Sequence, residues 1–156
     1  ADTVEAAQPG AAATPPGRPR DDPAYLGDLL ALPRAHLIVD GYNVTKGAWP
    51  AMPLEAQRTR LVQRLAALAA RTGAEVTCVF DGADVSVPPP VIRAQGVRVR
   101  FSPQGQTADE LIRRLVAAEP PGRPVAVVSS DREVADGVER RGARSVDSVA
   151  LVQLLG

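Results

Sequence analysis

Three aspartates, each at the end of a short apolar run, predict an acidic pocket. The runs are 36–40, 76–81 and 125–131. In a parallel sheet, ligands bind in the crevice outside the carboxyl ends of the strands, so aspartates there converge although the sequence separates them. A fourth aspartate, Asp109, opens a helix-like stretch before the last run. Convergent carboxylates bind hard cations such as Mg²⁺ and Mn²⁺.

Each aspartate also has a structural explanation. Asp40 and Asp81 both precede glycine, a common turn dipeptide. Asp109 and Asp131 lie in first helical turns, where a carboxylate is favoured by the helix dipole. Turns and caps use Ser, Asn or Thr equally well, so four aspartates in these positions favour a cation site. Glu110 is the fourth residue of a predicted capping box, which is a sufficient structural role.

The segments that would position these residues alternate between strand and helix. Short β-branched apolar runs predict strands, and leucines at helical spacing predict helices. The predicted strands are His36–Asp40, Glu75–Phe80, Val97–Phe101, 124–129 and a short edge strand at Arg144–Val146. The predicted helices are 54–71, 107–118, one that opens with a capping box at 130–133, and 147–155. This alternation predicts an α/β fold with a parallel sheet and helices on both faces.

The N-terminal segment 1–33 differs from the rest of the chain. Residues 1–24 are rich in Ala, Pro, Gly and charge without periodicity, which is typical of a disordered tail or linker. Residues 25–32 predict one short amphipathic turn that docks on the domain and ends at Pro33. Residues 34–156 are long enough to form one domain with its own core.

Bulk composition excludes several classes of protein. No run of about 18 apolar residues predicts a membrane span, and no basic start followed by an apolar stretch predicts a secretory signal. The lone cysteine, Cys78, lies in a predicted strand, where a buried small side chain is expected rather than a reactive thiol. We therefore expect a cytoplasmic protein.

The charge distribution is compatible with a polyanionic partner. The chain carries 18 basic and 18 acidic residues, but five of the acids and only two of the arginines lie in residues 1–33. If the four aspartates face a cation, the remaining surface of residues 34–156 is basic. Such a surface can attract RNA, although scattered arginines on solvated helix faces explain the same numbers.

Other kinds of site are disfavoured. The chain lacks a Gly-x-x-x-x-Gly-Lys-Ser/Thr loop and a Gly-x-Gly-x-x-Gly turn. A phosphoaspartate receiver needs a lysine late in the chain, but none follows Lys46. A serine hydrolase needs a histidine, and His36 lies at the wrong end of its strand, where a structural or surface role is expected. No Cys/His cluster predicts zinc.

Five sequence blocks resemble a known family. They are Asp40-Gly-Tyr-Asn-Val, Gly47-Ala-Trp-Pro, Val-Phe-Asp81-Gly, Thr107-Ala-Asp-Glu110 and Ser129-Ser-Asp131. Over about residues 36–155 the chain resembles the NYN branch of the PIN-like nucleases, in particular the YacP-like (Rae1-type) bacterial ribonucleases. The resemblance implies a PIN-like three-layer α/β/α sandwich with a mostly parallel central sheet. It also implies metal-dependent endoribonuclease activity, in some members on ribosome-associated messenger RNA.

The resemblance also implies roles for individual residues. Asp40 and Asp131 are the expected ligands of a Mg²⁺ or Mn²⁺ cofactor. Asp109 is expected to bind the metal directly or through water, and Asp81 to act as a further ligand or as a base. Asn43, which matches the family's asparagine, would orient Asp40 or donate to a phosphate oxygen. The hydroxyls of Thr107 and Ser130, in the same blocks, are expected mainly to cap helices.

The expected substrate is single-stranded or loop RNA, whose bases can stack on aromatic side chains. Tyr42 and Trp49 follow the first aspartate and are candidates for stacking, with core or loop packing as the alternative. Basic side chains are candidates for contacts with backbone phosphates. They are Lys46, Arg93, Arg98, Arg100 and Arg132.

Two other functions fit the same sequence. The first is a non-catalytic RNA-binding or ribosome-binding module that retains the fold and the acids without turnover. The second is a phosphohydrolase of small molecules, for which the same acidic pocket would suffice. The sequence predicts neither RNA specificity nor an oligomeric state.

Overall fold

A five-stranded sheet forms the centre of the protein. The computed structural model describes residues 18–85 and 89–156. The strands are β1 (His36–Asp40), β2 (Glu75–Phe80), β3 (Val97–Phe101), β4 (Val125–Val128) and β5 (Arg144–Val146). They are all parallel and lie in the order β3-β2-β1-β4-β5. The predicted parallel α/β architecture is therefore confirmed, with β4 one residue shorter than predicted at each end.

Helices cover both faces of the sheet. In chain order they are α1 (Pro23–Leu30), α2 (Gly41–Ala48), α3 (Leu54–Thr72), α4 (Ala108–Ala117), α5 (Arg132–Glu139) and α6 (Ser148–Leu155). Helices α1, α2, α3 and α6 share one apolar core with one face of the sheet, and α4 and α5 share a second core with the other face. The result is a three-layer α/β/α arrangement. Within the described residues, no helix has the length and apolar composition needed to cross a bilayer.

Helix α2 is the element that the sequence did not predict. We expected Gly41 to end β1 in a turn, but the helix begins at Gly41 itself. Its sequence has low helix propensity because it contains two glycines together with β-branched Val44 and Thr45. The helix is stabilised instead by burial of Tyr42, Val44 and Thr45.

A buried glutamine on α3 connects it to the end of α2. The Thr45 hydroxyl donates to Gln57 Oε1 at 2.8 Å. Gln57 Nε2 donates to the backbone carbonyls of Trp49 at 3.1 Å and Met52 at 3.0 Å. Both carbonyls lie in the segment that follows the last residue of α2. Gln57 therefore stabilises the α2–α3 connection beside the first aspartate.

Close packing explains why glycine follows Asp40. A Cβ at Gly41 would lie 2.4 Å from the Phe80 ring and 3.0 Å from the Val79 carbonyl oxygen, whereas one at Gly47 of the same helix would meet nothing within 4 Å. We expect Gly41→Ala to lower the free energy of unfolding by about 1–3 kcal/mol through overpacking. Gly47→Ala should leave it equal or raise it by up to about 1 kcal/mol. Urea midpoints of the two variants test this, and equal stability of Gly41→Ala and wild type would contradict it.

Helix α1 belongs to the core. We predicted a single docking turn, but α1 has two turns, with Asp22 as its N-cap and Pro23 in the first turn. Leu26, Leu29 and Leu30 are at most 3% exposed, and the helix packs mainly against α6. Part of the predicted tail, residues 1–17, lies outside the described residues.

A polar network occupies the opposite edge of the sheet from the aspartates. Buried His36 shares hydrogen bonds with Thr77 Oγ1 at 2.8 Å and with Glu119. Arg123 donates to Glu75 at 2.7 Å and to Glu119 at 3.2 Å. The hydrogen bond from Arg123 lowers the pKa of Glu75 below its ordinary value. His36 thus has the structural role that its position predicted.

Cys78 is fully buried within β2. Burial raises the pKa of its thiol, with a further contribution from the negative charge of Asp40. A thiol that stays protonated and inaccessible is unreactive. The predicted burial of this cysteine is confirmed.

Candidate active site

The aspartates gather where the order of the strands reverses. The chain runs from β1 to β2 on one side of the sheet and from β4 to β5 on the other. This reversal between the neighbouring strands β1 and β4 creates a crevice at their carboxyl ends. Asp40 ends β1, Asp81 directly follows β2, and Asp131 follows β4. An open cleft of about 530 Å³ lies at this edge. Its lining is Asp40, Tyr42, Asn43, Lys46, Asp81, Thr107, Ala108, Asp109, Asp131 and Val134. We refer to it as the acidic cleft.

Two of the aspartates are oriented by the backbone that follows them. Asp81 Oδ1 accepts a hydrogen bond from the Ala83 N–H at 2.9 Å, and Asp131 Oδ1 accepts one from the Glu133 N–H at 2.9 Å. These hydrogen bonds fix the orientation of both carboxylates at the rim of the cleft. Asp131 is itself the N-cap of α5, so the predicted capping box beginning at Ser130 is wrong. The predicted box at Thr107 and Glu110 is confirmed.

One buried hydroxyl connects the two aspartates at the centre of the crevice. Ser129 Oγ donates to Asp40 Oδ2 at 2.8 Å and accepts from the Asp131 N–H at 3.1 Å. Ser129 is 2% exposed, so its side chain has little freedom to move. Sequence reasoning did not assign it a role, although its place before Ser130 and Asp131 in one block was a signal. The relative position of Asp40 and Asp131 depends on this residue.

Asp40 is the aspartate most strongly affected by its surroundings. Burial raises its pKa from 3.8 to about 6, and the charges of Asp131, Asp109 and Asp81 act in the same direction. The hydrogen bond from Ser129 opposes this rise. The four carboxylates therefore repel one another across the cleft, and a bound cation would relieve that repulsion.

Asp109 forms an ion pair with an arginine of its own helix. Arg113, one turn later on α4, donates from Nε to Asp109 Oδ1 at 2.9 Å and from Nη2 to Oδ2. The aliphatic part of Arg113 passes close to Gly137 of α5, where a Cβ would lie 3.3 Å from Arg113 Cδ. Both oxygens of Asp109 are engaged, which favours contact with a metal through water over direct ligation.

Asn43 lines the acidic cleft, and its side-chain amide is held through its oxygen. Its Oδ1 accepts from the Ser130 N–H at 2.8 Å and from Ser148 Oγ at 2.6 Å. A backbone N–H can only donate, which identifies this atom as the oxygen. The amide nitrogen is therefore the group that Asn43 offers to a ligand. Ser148 is 8% exposed, and its distance of 105 residues from Asn43 left no signal in the sequence.

Comparison with known proteins identifies the family. A family model described as the YacP-like NYN domain matches residues 37–156. The chain belongs to the YacP-like NYN domain family. Membership makes this chain a nuclease-family module and confirms the predicted resemblance.

Relatives of this NYN domain are known from Bacillus subtilis. The curated protein "Uncharacterized protein YacP" of strain 168 is 38% identical over 88 residues, which are 53% of this chain and 51% of that protein. The chain thus matches about half the length of that relative.

Two crystal structures share the fold of this NYN domain. Rae1 (YacP) from Bacillus subtilis has a TM-score of 0.67 and 31% identity over 76% of this chain and 72% of that one. Its W164L mutant has a TM-score of 0.66 and 30% identity over 78% and 74%. The predicted PIN-like α/β/α fold is confirmed by this likeness.

The structure places the two aromatic candidates for base stacking in different surroundings. Tyr42 lines the acidic cleft but is 5% exposed, with its ring 4.9 Å from that of Phe80 and its hydroxyl accepting from Arg58 at 2.8 Å. Its ring face is therefore unavailable to a base, which corrects the stacking prediction. Trp49 is half-buried against the core, and the Arg60 guanidinium lies 4.9 Å from its ring centre. It does not line the cleft.

The predicted phosphate-binding residues lie in different places. Lys46 lines the acidic cleft, 5.2 Å above the Tyr42 ring. Arg132 lines a neighbouring cleft of about 260 Å³. Arg98 and Arg100 lie on the edge strand β3, and Arg93 is exposed in the segment before it. The structure therefore does not gather them into one patch, and their contacts with RNA stay predictions.

The chemistry of the acidic cleft fits a hard divalent cation. Among the residues that the structure describes, no three acidic, Cys or His side chains are grouped so that they could hold an ion as they stand. Mg²⁺ does not require such a group, because it keeps several waters and commonly uses one or two carboxylates with substrate phosphate. Asp40 and Asp131, connected by Ser129, can supply these carboxylates.

Proposed function

We propose that this NYN domain is a divalent-metal-dependent endoribonuclease that hydrolyses phosphodiester bonds of RNA. The observation that most supports it is the meeting of four carboxylates, from four separate segments, in one open cleft. Asn43 adds a neutral hydrogen-bond donor to the same cleft. This donor set suits a substrate that is both anionic and rich in hydrogen-bond acceptors.

In this proposal each residue has a defined task. Bound Mg²⁺ or Mn²⁺ would activate a water molecule and neutralise phosphate charge. Asp40 and Asp131 would hold the cation, with each carboxylate oriented by a hydrogen bond to one of its oxygens. Asp81 Oδ2 accepts the proton of the attacking water. The Asn43 amide donates to a non-bridging phosphate oxygen, and Asp109 contributes through water.

The proposed substrate is single-stranded or loop RNA in the cytoplasm, including ribosome-associated messenger RNA. The acidic cleft is open and lined mainly by polar side chains, so it suits a flexible backbone better than a buried small molecule. Because the Tyr42 ring is buried, recognition in this proposal depends on the phosphate backbone rather than on base stacking.

A cleavage assay tests the proposal. Wild-type protein is incubated with an end-labelled structured RNA in Mg²⁺, Mn²⁺ or EDTA, and we expect cleavage only with metal. Asp40→Asn combined with Asp131→Asn should lower the rate by at least about 10³-fold, because metal-ion stabilisation is worth several kcal/mol. Asp136→Asn, which changes an exposed carboxylate of α5, is the matched control and should cleave normally. Undiminished cleavage by the folded double variant would contradict the assignment.

One observation favours the non-catalytic alternative. Among the described residues no three candidate ligands are grouped to hold an ion, and Asp109 is paired with Arg113, so binding of RNA without turnover also fits the cleft. RNA binding without cleavage in either metal would support that alternative. Turnover of a simple phosphate ester, with RNA left intact, would instead indicate a small-molecule phosphohydrolase.

A further inference from the structure

The edge strand β3 carries two arginines, Arg98 and Arg100, on the same face of the sheet as Asp40 of β1. The strand register aligns Asp40, Val79 and Arg100 in one row, and aligned residues of a parallel sheet point to the same face. Two residues earlier, Thr77 is aligned with Arg98. Both arginines are exposed, and the Arg98 side chain is 67% exposed.

Helix α4 leaves a groove beside these arginines. A cleft of about 300 Å³ has Arg98 and Arg100 on one wall and Leu115 and Ala118 on the other. We call it the α4–β3 groove. Asp109, in the first turn of α4, lines the acidic cleft, and Ala118 follows the last turn of the same helix. The acidic cleft and the α4–β3 groove thus lie at the two ends of the same helix.

The spacing of the arginines matches a nucleic acid backbone. Neighbouring strands are about 4.8 Å apart, so the backbone at Arg100 lies about 10 Å from that at Asp40. Arg98 and Arg100 are separated by about 6.6 Å along the strand, which is of the order of the distance between adjacent phosphates of an extended single strand. A strand cleaved beside Asp40 can thus bring its next phosphates to these two side chains.

Charged side chains at the far end of the α4–β3 groove limit phosphate binding to Arg100 and Arg98. Arg123 also lines the groove, but Glu75 and Glu119 already engage it at 2.7 Å and 3.2 Å. Arg98 contacts Glu75 only at 3.9 Å, and an exposed ion pair of this kind contributes about 0–1 kcal/mol. Arg98 can therefore exchange this contact for a phosphate, whereas the carboxylates beyond it repel one.

We propose that the RNA flanking the cleaved bond follows the α4–β3 groove, with successive phosphates bound by Arg100 and then Arg98. The inference rests on the proposed function for the nature of the ligand. It adds the path of the strand and a short binding site that ends at Glu75 and Glu119.

Salt dependence of binding tests the path. A fluorescent single-stranded RNA is titrated with the protein in EDTA over a range of salt concentrations. Each phosphate contact contributes about 0.7 to the slope of log K against log salt for single strands. We expect Arg98→Ala and Arg100→Ala each to lower the slope by about 0.7 and the double variant by about 1.4. Arg98→Lys should have the slope of the wild type, because lysine keeps the positive charge.

Arg140→Ala is the matched control, since Arg140 is an exposed arginine at the end of α5. An unchanged slope in the double variant, or an equal decrease with Arg140→Ala, would overturn the proposal. Metal-dependent cleavage is measured separately, so the two proposals can fail independently. Lower slopes in the arginine variants, with no cleavage by wild type, would support the groove proposal and reject the nuclease proposal. Cleavage by wild type, with unchanged slopes in the variants, would support the nuclease proposal and reject the groove proposal.

Discussion

Replacing Asp40 by asparagine is expected to stabilise the metal-free protein and to abolish its RNA cleavage. The pKa of Asp40 is about 6 in the folded protein against an ordinary 3.8, chiefly because the carboxyl is buried. Between these values the folded state binds more protons than the unfolded state, so stability falls as the pH rises. Above pH 6 the charged carboxylate exerts its full unfavourable effect. Asparagine removes this effect, which for a partly exposed group is about 2 kcal/mol.

Urea unfolding of metal-free protein at pH 4 and pH 7.5 measures this difference. Asp40→Asn should exceed wild type in stability at pH 7.5 and lose most of that advantage at pH 4, where Asp40 is largely protonated. Asp136→Asn should behave like wild type at both values. Addition of Mn²⁺ should raise the melting temperature of wild type more than that of Asp40→Asn. A variant that is less stable than wild type at pH 7.5 would show that Asp40 is mainly structural.

Loss of the Asn43 amide is expected to slow cleavage by about 10²-fold or more, the usual effect of removing one donor to developing charge. Ser148→Ala should slow it by about 10-fold, because it removes one of two hydrogen bonds that hold Asn43 Oδ1. Both effects should appear in kcat rather than KM, since the donor acts on the reacting phosphate. Ser148→Thr, which keeps the hydroxyl, should restore part of the rate.

A double-mutant cycle distinguishes positioning from general destabilisation. If Ser148 acts through Asn43, Ser148→Ala should have almost no further effect in an Asn43→Ala background. Ser145→Ala removes a comparably buried hydroxyl, which donates to Glu139 at 2.8 Å outside the cleft, and serves as the control. Rate losses that simply multiply in the double variant would reject the positioning role of Ser148.

The sequence could predict the parts of this molecule that depend on local pattern. Strands β1, β2 and β4 are marked by short β-branched apolar runs, and their parallel order places Asp40, Asp81 and Asp131 at one edge. The resemblance of the surrounding blocks then identified the family. These inferences required only alternation, spacing and motif, all of which can be read along the chain.

Other features depend on contacts between distant segments. Ser148 reaches Asn43 only because α6 packs beside α2. The burial of Tyr42 against Phe80 depends on a different contact, between α2 and β2. Helix α2 has weak intrinsic propensity and forms because its buried face is covered. The pairing of Asp109 with Arg113 has helical i,i+4 spacing, but its significance appears only once Asp109 is known to line the cleft.

The two Asp-Gly pairs show how a correct residue pattern can have an unexpected cause. We explained Gly41 and Gly82 as turn residues, yet neither has a positive φ. A Cβ at Gly82 would lie 2.0 Å from the Ser102 carbonyl oxygen, as one at Gly41 would lie against Phe80. Glycine is required at both positions because a neighbouring segment approaches closely, which allows both strands to end at the same crevice.

Helix α1 determines where the chain can be cut for recombinant work. The family match begins at residue 37, after this helix, so a fragment designed from the match would omit it. Three leucines that are now at most 3% exposed would be missing, and the apolar surface of α6 that they cover would face solvent. Contiguous exposed apolar surface promotes aggregation. A cloning boundary before Asp22 keeps the helix, its cap and a soluble surface together.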